Sequence, residues 1–333
     1  MAMGKKLSLF IVLALLSTAC QKEFGPQAVN GSVVIPDSTS VVIVNEGNFM
    51  WGNAGLGQYD PEEERYADGL FQSANNKALG DVLQEVHKIG DRYYLVLNGS
   101  NKLLICDEDW REIKSIEAKG APRNLYFWQH SLWLNDLYLN SISHYDIEGN
   151  LLGEFNSAKP SFKILDWQDK LILAQKRKLE AYDSSGDSLY SLASFSQDLE
   201  DLIVFQKALY LAFADGRLER WTDPDSNRIL VDQLLIESGS LVLNPNHAEF
   251  FSYDGEHLRA HHHNGSFQSE IITSLECQNF YGLDFHAASS SLYLFDARQF
   301  VQPHSVRRID RASGALLSEF RAGALPNGLV REW

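Results

Sequence analysis

The 333-residue chain has little cysteine, three residues in all, and little positive charge, 29 Lys and Arg against 44 Asp and Glu for a formal charge of −15. Three cysteines cannot build a disulfide framework. Cys106 and Cys277 lie far apart in strand-like contexts, without CxxC or Cys/His metal spacing, and read as small buried hydrophobes. The shortage of Lys and Arg leaves no basic patch for a phosphate backbone, which argues against nucleic acid as a partner. Long apolar runs are also missing. The longest, residues 7–16, is about half of what a spanning helix requires. No GxSxG elbow, HExxH, P-loop or dinucleotide glycine fingerprint occurs, which lowers the expectation of an enzyme. Apolar residues at helical spacing are almost absent, so an all-β fold is expected.

The N-terminus has its own logic. Lys5 and Lys6 precede the apolar run, and Ser17-Thr18-Ala19-Cys20 follows it, the layout of a short signal peptide over residues 1–19. Small residues before a cysteine resemble the lipobox of bacterial lipoproteins, with Ser17 where Leu is usual and Leu16 one place further back. That resemblance implies lipid attachment at Cys20, of the palmitate-bearing type. Gln21-Lys22-Glu23 resembles the surface-export signal of Bacteroidota lipoproteins, and implies an outer-membrane protein, lipid-anchored and facing the cell exterior. Residues 20–40, with Gly25, Pro26, Gly31 and Pro36, suit a flexible tether. Removal of residues 1–19 takes away Lys5 and Lys6 and moves the charge from 29 − 44 = −15 to 27 − 44 = −17. Such a domain is a poor binder of anionic membranes, so its membrane contact is expected through the lipid alone.

Residues 41–333 repeat. Short β-branched and aromatic strands begin at Tyr93, Leu132, Leu171, Leu209, Phe250 and Leu292, at intervals of 39, 39, 38, 41 and 42 residues. Within a unit the strand is followed by a polar loop, a strand ending in an Asp or Gly turn such as Tyr145-Asp146-Ile147-Glu148-Gly149, and an outer strand. Four strands in about 40 residues fit a propeller blade. Val41-Val42-Ile43-Val44 and Leu56-Gly57-Gln58-Tyr59 supply part of one more unit, which makes seven. Pro326-Asn327-Gly328-Leu329 imitates Pro122-Arg123-Asn124-Leu125, and is expected to close the ring as the missing inner strand of the first blade. A pair of β-sandwiches is the competing architecture, but needs no constant period.

Candidate chemistry is diffuse. His261-His262-His263 alternates across a strand and reads as surface histidines. Asp223, Asp225 and Asn227 alternate like a calcium loop, but Pro224 interrupts and no Glu closes it, so a turn is expected. The richest segment is residues 44–55, in which Asn45, Asn48 and Asn53 present amides, Trp51 a large ring and Glu46 a carboxylate among small residues. Equivalent loops contribute Asn98 and Asn101, Asn135 and Tyr138, Arg177, and Arg298. Arg123 and Asn327 start inner strands. A propeller gathers these residues on one end of its disc, an amide-plus-aromatic surface for a polar organic ligand.

Asn45-Glu46-Gly47-Asn48-Phe49, Leu79-Gly80-Asp81-Val82, Tyr94-Leu95-Val96-Leu97-Asn98 and Ala121-Pro122-Arg123 resemble the Bacteroidota surface lipoproteins with YncE-like seven-bladed propellers. The similarity is densest over residues 41–127. It implies a non-enzymatic binding protein that captures a small ligand, a corrinoid such as cobalamin being the leading example, and hands it to a TonB-dependent outer-membrane transporter. No cofactor is expected. The middle blades depart from the pattern at Lys176, Arg177 and Lys178 and at Phe162-Lys163. Two alternatives stand beside this reading: a calcium-dependent lactonase-like hydrolase with Glu46, Asn98 and Asn135 as ligands, and a protein–protein interaction module.

Overall fold

The computed structural model describes residues 40–183, 188–223, 227–244, 249–300 and 304–333. The expected signal peptide, Cys20, most of the tether, and Pro224 and Asp225 lie outside the described residues. Among the described residues no helix is long and apolar enough to cross a membrane.

Seven sheets follow one another, six four-stranded and one five-stranded; five are drawn from consecutive chain, and the first two each also take a strand from the C-terminus. Blade 1 has the order Pro326–Leu329, Val41–Asn45, Gly55–Asp60, Arg65–Asp68, so the C-terminal strand supplies its inner strand as expected. Blades 2 to 7 begin with the inner strands Leu83–Ile89, Pro122–Trp128, Lys163–Trp167, Leu199–Phe205, Val242–Asn244 and Phe280–His286. Each inner strand packs against the next, and Phe280–His286 packs against Pro326–Leu329, which packs in turn on Leu83–Ile89. The ring is therefore closed. A sandwich pair is ruled out.

The sequence pattern follows from position in the blade. Second strands such as Arg92–Leu97, Lys170–Gln175 and Ala208–Phe213 are almost continuously apolar because neighbouring blades cover both their faces. Outer strands such as Glu112–Glu117 and Leu316–Arg321 alternate, with every second residue exposed. Between blades 4 and 5, Trp167 and Ile172 share one core with Leu209, Leu211 and the fully buried Trp221. Each fully buried Leu-sized side chain contributes about 1.5–3 kcal/mol. The Trp167 indole N–H also donates to Lys207 O at 3.0 Å, which fixes blade 4 to blade 5.

Carboxylates stitch successive inner strands together. Glu85 accepts the Leu125 N–H at 3.0 Å, Asp201 that of Leu241 at 2.9 Å, and Asp284 that of Leu329 at 2.8 Å. At each of these junctions a backbone donor facing the preceding blade is satisfied by an acid about one repeat away.

Three details differ from expectation. His261 is fully buried, not a surface histidine: its ring stacks on Phe250 and Phe267, and Ser252 Oγ lies 2.8 Å from its Nε2. Neighbouring blades cover both faces of this third strand, so alternation does not bring every second residue to solvent. Burial pushes the His261 imidazole down to about 3. Arg331–Glu332 adds a fifth strand to blade 2, parallel to Leu83–Ile89. A short helix, α1 (Leu70–Asn75), caps the blade 1 to blade 2 connection and buries Leu70 and Phe71. Cys106 is buried and Cys277 half-buried, both as free thiols, and burial pushes them up to about 12 and about 11.

Candidate functional site

Strand direction decides which residues share an end of the disc. The start of an inner strand pairs with the finish of the second strand, as in Asn45 opposite Pro326 and Leu83 opposite Leu97. Inner-strand starts and the loops after second strands therefore lie at the same end. Arg123, Asn327 and the loops containing Glu46, Asn98, Tyr138, Arg177 and Arg298 all belong to it. We call it the upper end.

At its centre, where the ring closes, four half-buried side chains meet. The Glu46 carboxylate lies beside the Tyr281 phenol and the Asn327 amide and within electrostatic reach of the Arg123 guanidinium. Burial raises Glu46 above the usual carboxylate range, and Tyr281, Arg123 and Asn327 pull it back in part. Burial and then the Glu46 charge push the Tyr281 phenol upward. Asn327 also donates to Leu83 O at 3.3 Å and Gln84 O at 3.1 Å, which fixes its amide against blade 2. The cluster offers an acid, a guanidinium, a phenol and an amide within one small area. That mixture suits a ligand carrying both hydrogen-bond donors and acceptors.

Sequence reasoning named three of the four and missed Tyr281. A signal was available. Aligning the inner strands Pro122-Arg123-Asn124-Leu125, Phe280-Tyr281-Gly282-Leu283 and Pro326-Asn327-Gly328-Leu329 on their leucines puts Arg123, Tyr281 and Asn327 at one position of the repeat.

The loop of residues 46–54 is braced on every side. The Glu46 and Gly47 N–H groups donate to Leu325 O and Ala324 O, and Leu83 N–H donates to Glu46 O at 2.9 Å. Asn48 N–H donates to Asn53 Oδ1 at 2.7 Å, Asn53 Nδ2 returns to Asn48 Oδ1 at 3.2 Å, and Met50 N–H donates to Asp81 Oδ2 at 2.7 Å. Gly47 has φ +81°, and a Cβ there would lie 2.5 Å from Ala54 N. Only glycine fits. Trp51 stands outward from this loop, 58% exposed.

The remaining named residues are distributed differently. Asn45 is buried beneath the loop and donates to Tyr66 Oη at 2.8 Å. Asn98 Nδ2 donates to Pro122 O at 3.0 Å. Asn135 receives the Asn124 N–H at 2.7 Å and donates to Ser161 O at 2.7 Å. These two amides latch one blade to the next and are not gathered around Glu46. Asn101, in the left-handed region at φ +52°, turns the blade 2 loop, and its amide faces Asn98 O and Gly120 O. Tyr138 is 74% exposed on blade 3. Arg177 pairs with Asp198 at 2.5 Å, and Arg298 with Glu319 at 2.8 Å. Among the described residues no group of three or more His, Cys, Asp or Glu side chains is arranged to hold a metal ion.

Below the mouth the channel carries a charge network that the sequence reading did not identify. Arg331 donates to Glu85 Oε1 at 2.8 Å, Asn124 Nδ2 does so at 3.0 Å, and Lys163 pairs with Asp201 at 2.7 Å. Burial alone raises Glu85, but Arg331, His87 and the Leu125 N–H outweigh it and hold the carboxyl far below its ordinary value. Asp284 is raised by burial, against the pull of Arg331. At the lower end Trp333 Nε1 donates to His87 Nδ1 at 2.8 Å, and its ring meets Tyr126 edge-on.

Seven sheets and the closure by the C-terminal strand together define a seven-bladed β-propeller. Solved structures of the same fold include a quinonprotein alcohol dehydrogenase-like protein from Bacteroides thetaiotaomicron, 12% identical, covering 88% of this chain and 78% of that one with a TM-score of 0.68. The extracellular domain of a putative one component system from the same organism is 15% identical, covering 79% of this chain and 38% of that one at a TM-score of 0.56. A streptogramin B lyase is 11% identical, covering 72% and 83% at 0.57. At such identities the likeness is one of fold. No protein-family profile matches the chain, and no curated protein sequence does.

Proposed function

We propose that this chain is a non-enzymatic binding propeller that captures a small polar ligand at the mouth formed by Glu46, Arg123, Tyr281 and Asn327. The observation that carries the reading is their convergence: four side chains of complementary chemistry, from blades 1, 3 and 7, meet where the ring closes. A lipid on Cys20 holds the domain at the outer-membrane surface, and the ligand passes to a TonB-dependent transporter. A corrinoid such as cobalamin is the leading ligand, because its rim of carboxamides offers donors and acceptors together with apolar faces. The competing hydrolase reading requires Glu46, Asn98 and Asn135 to face one calcium ion. The engagement of the Asn98 and Asn135 amides with Pro122 and Ser161 favours binding without turnover.

Calorimetric titration of the folded domain with cyanocobalamin tests the reading. Saturable heat is expected, weakened at least about tenfold by Arg123→Ala, the loss of roughly one charged hydrogen bond. No heat at high micromolar ligand removes the corrinoid. An unchanged affinity in Arg123→Ala removes the mouth.

A further inference from the structure

The tip of the blade 1 loop does not line the mouth. Phe49 is 69% exposed and Met50 81%, the most exposed of the chain's described large hydrophobic residues apart from Tyr138. Phe300, 51% exposed, belongs to the corresponding loop of the adjacent blade 7, and its ring meets the mouth residue Tyr281 edge-on at 6.1 Å. A small-ligand site is concave and surrounds its ligand. These side chains protrude, so whatever covers them must supply the concavity.

We propose that residues 48–51, with Phe300 beside them, form a docking finger for a second protein, one with an apolar recess and a rim of cationic or amide groups. The hydrogen bonds that the Asn48 and Met50 N–H groups donate to Asn53 Oδ1 and Asp81 Oδ2 hold the finger rigid before docking. Little conformational entropy then opposes association. With about 150–250 Å² for each full aromatic side chain, the exposed parts of Phe49, Met50, Trp51 and Phe300 amount to roughly 500 Å² of apolar surface. Together with a polar rim this approaches the ~800 Å² that each partner contributes to a stable interface.

Charge selects the occupant. Residues 46–54 hold one ionisable side chain, Glu46, and no Lys or Arg; Arg298, beside Phe300, is paired with Glu319 at 2.8 Å, and Asp81 braces the finger from blade 2. An insertion loop for an anionic bilayer carries basic residues beside its aromatic ones. A second copy of this chain, at −15, repels the first. A different protein with a basic rim fits both features. The proposal adds a partner to the end of the disc that holds the ligand mouth, and does not rest on what that ligand is.

The test is site-specific photocrosslinking in the cells the protein comes from, with benzoylphenylalanine at position 49 and, as control, at Leu230 on the outer strand of blade 5. One discrete heteromeric adduct from position 49 and none from 230 is expected, its crosslinked peptide being apolar and flanked by Lys or Arg. The double variant Phe49→Ser, Met50→Ser should lower recovery of that complex at least tenfold and leave cyanocobalamin titration and thermal unfolding as in the parent. An adduct of twice the chain mass, a lipid adduct together with flotation on anionic phosphatidylglycerol vesicles, or equal labelling from 49 and 230 each overturns the proposal. Failure of the ligand reading shows in the titration alone, so the two outcomes are separable.

Discussion

Two arcs of the upper end contrast. Over blades 7 and 1 the loops carry exposed Phe300, Phe49, Met50 and Trp51 around a mouth of mixed polar groups. Over blades 4 and 5 the corresponding loops carry Lys176 and Arg177, paired with Glu200 and Asp198, and Asp215, paired with Arg217. The second arc satisfies its own charges and presents a solvated surface. The first presents exposed apolar area on a rigidly braced loop. The first arc is also the seam where the two ends of the chain meet, so the braces of the proposed binding surface and the closure of the fold share residues: Glu46 N–H bonds to Leu325, and Asn327 reaches blade 2.

Perturbing the seam should therefore do far more than perturbing the far arc. Deletion of residues 326–333 removes the inner strand of blade 1 and the fifth strand of blade 2, and should abolish cooperative unfolding in urea. A cooperative transition with an unchanged midpoint would show that the ring does not need this closure. Glu85→Gln removes the charge that accepts from Arg331, Asn124 and Leu125, and should cost about 1.5–3 kcal/mol at neutral pH. The Glu85 carboxyl is held low in the folded state, so its stabilisation is present above the unfolded value and lost as pH falls through the folded one. Glu85→Gln should accordingly flatten the acid limb of stability against pH, read from urea midpoints between pH 3 and 7.

Glu46 at the mouth runs the other way. Its folded value is raised, so its contribution is present at low pH and lost as pH rises through that value, and Glu46→Gln should stabilise the domain at neutral pH while weakening ligand binding. A stabilised variant with full affinity would separate Glu46 from the site. Gly47→Val forces a Cβ against Ala54 in a left-handed backbone, with an expected cost of roughly 1–3 kcal/mol in thermal or urea unfolding. Lys176→Ala and Arg177→Ala on the far arc should each change stability by less than about 0.5 kcal/mol, since exposed ion pairs contribute little.

The architecture was legible because the second strands recur at a near-constant interval, and because Pro326-Asn327-Gly328-Leu329 copies an inner strand found elsewhere in the chain. What was not legible depended on contacts between repeats. Helix α1 has only six residues, and its N-cap, Gly69, makes no side-chain cap bond, so neither periodicity nor capping marks it. The burial of His261 comes from the blades on either side of its strand. The pairing of Arg331–Glu332 with blade 2 depends on where the chain arrives after closing the ring. Of the named site residues, Glu46, Arg123 and Asn327 meet because they share a level of the disc. Asn98 and Asn135 share that level too, but the start of the next blade claims their amides.

Hydrogen exchange of the folded domain with and without saturating cyanocobalamin tests the central claim most directly. The account predicts slowed exchange at residues 46 and 47 and at the inner-strand starts around 123, 281 and 327, and none over the loops of blades 4 and 5. Protection confined to blades 4 and 5, or no protection anywhere, would contradict it.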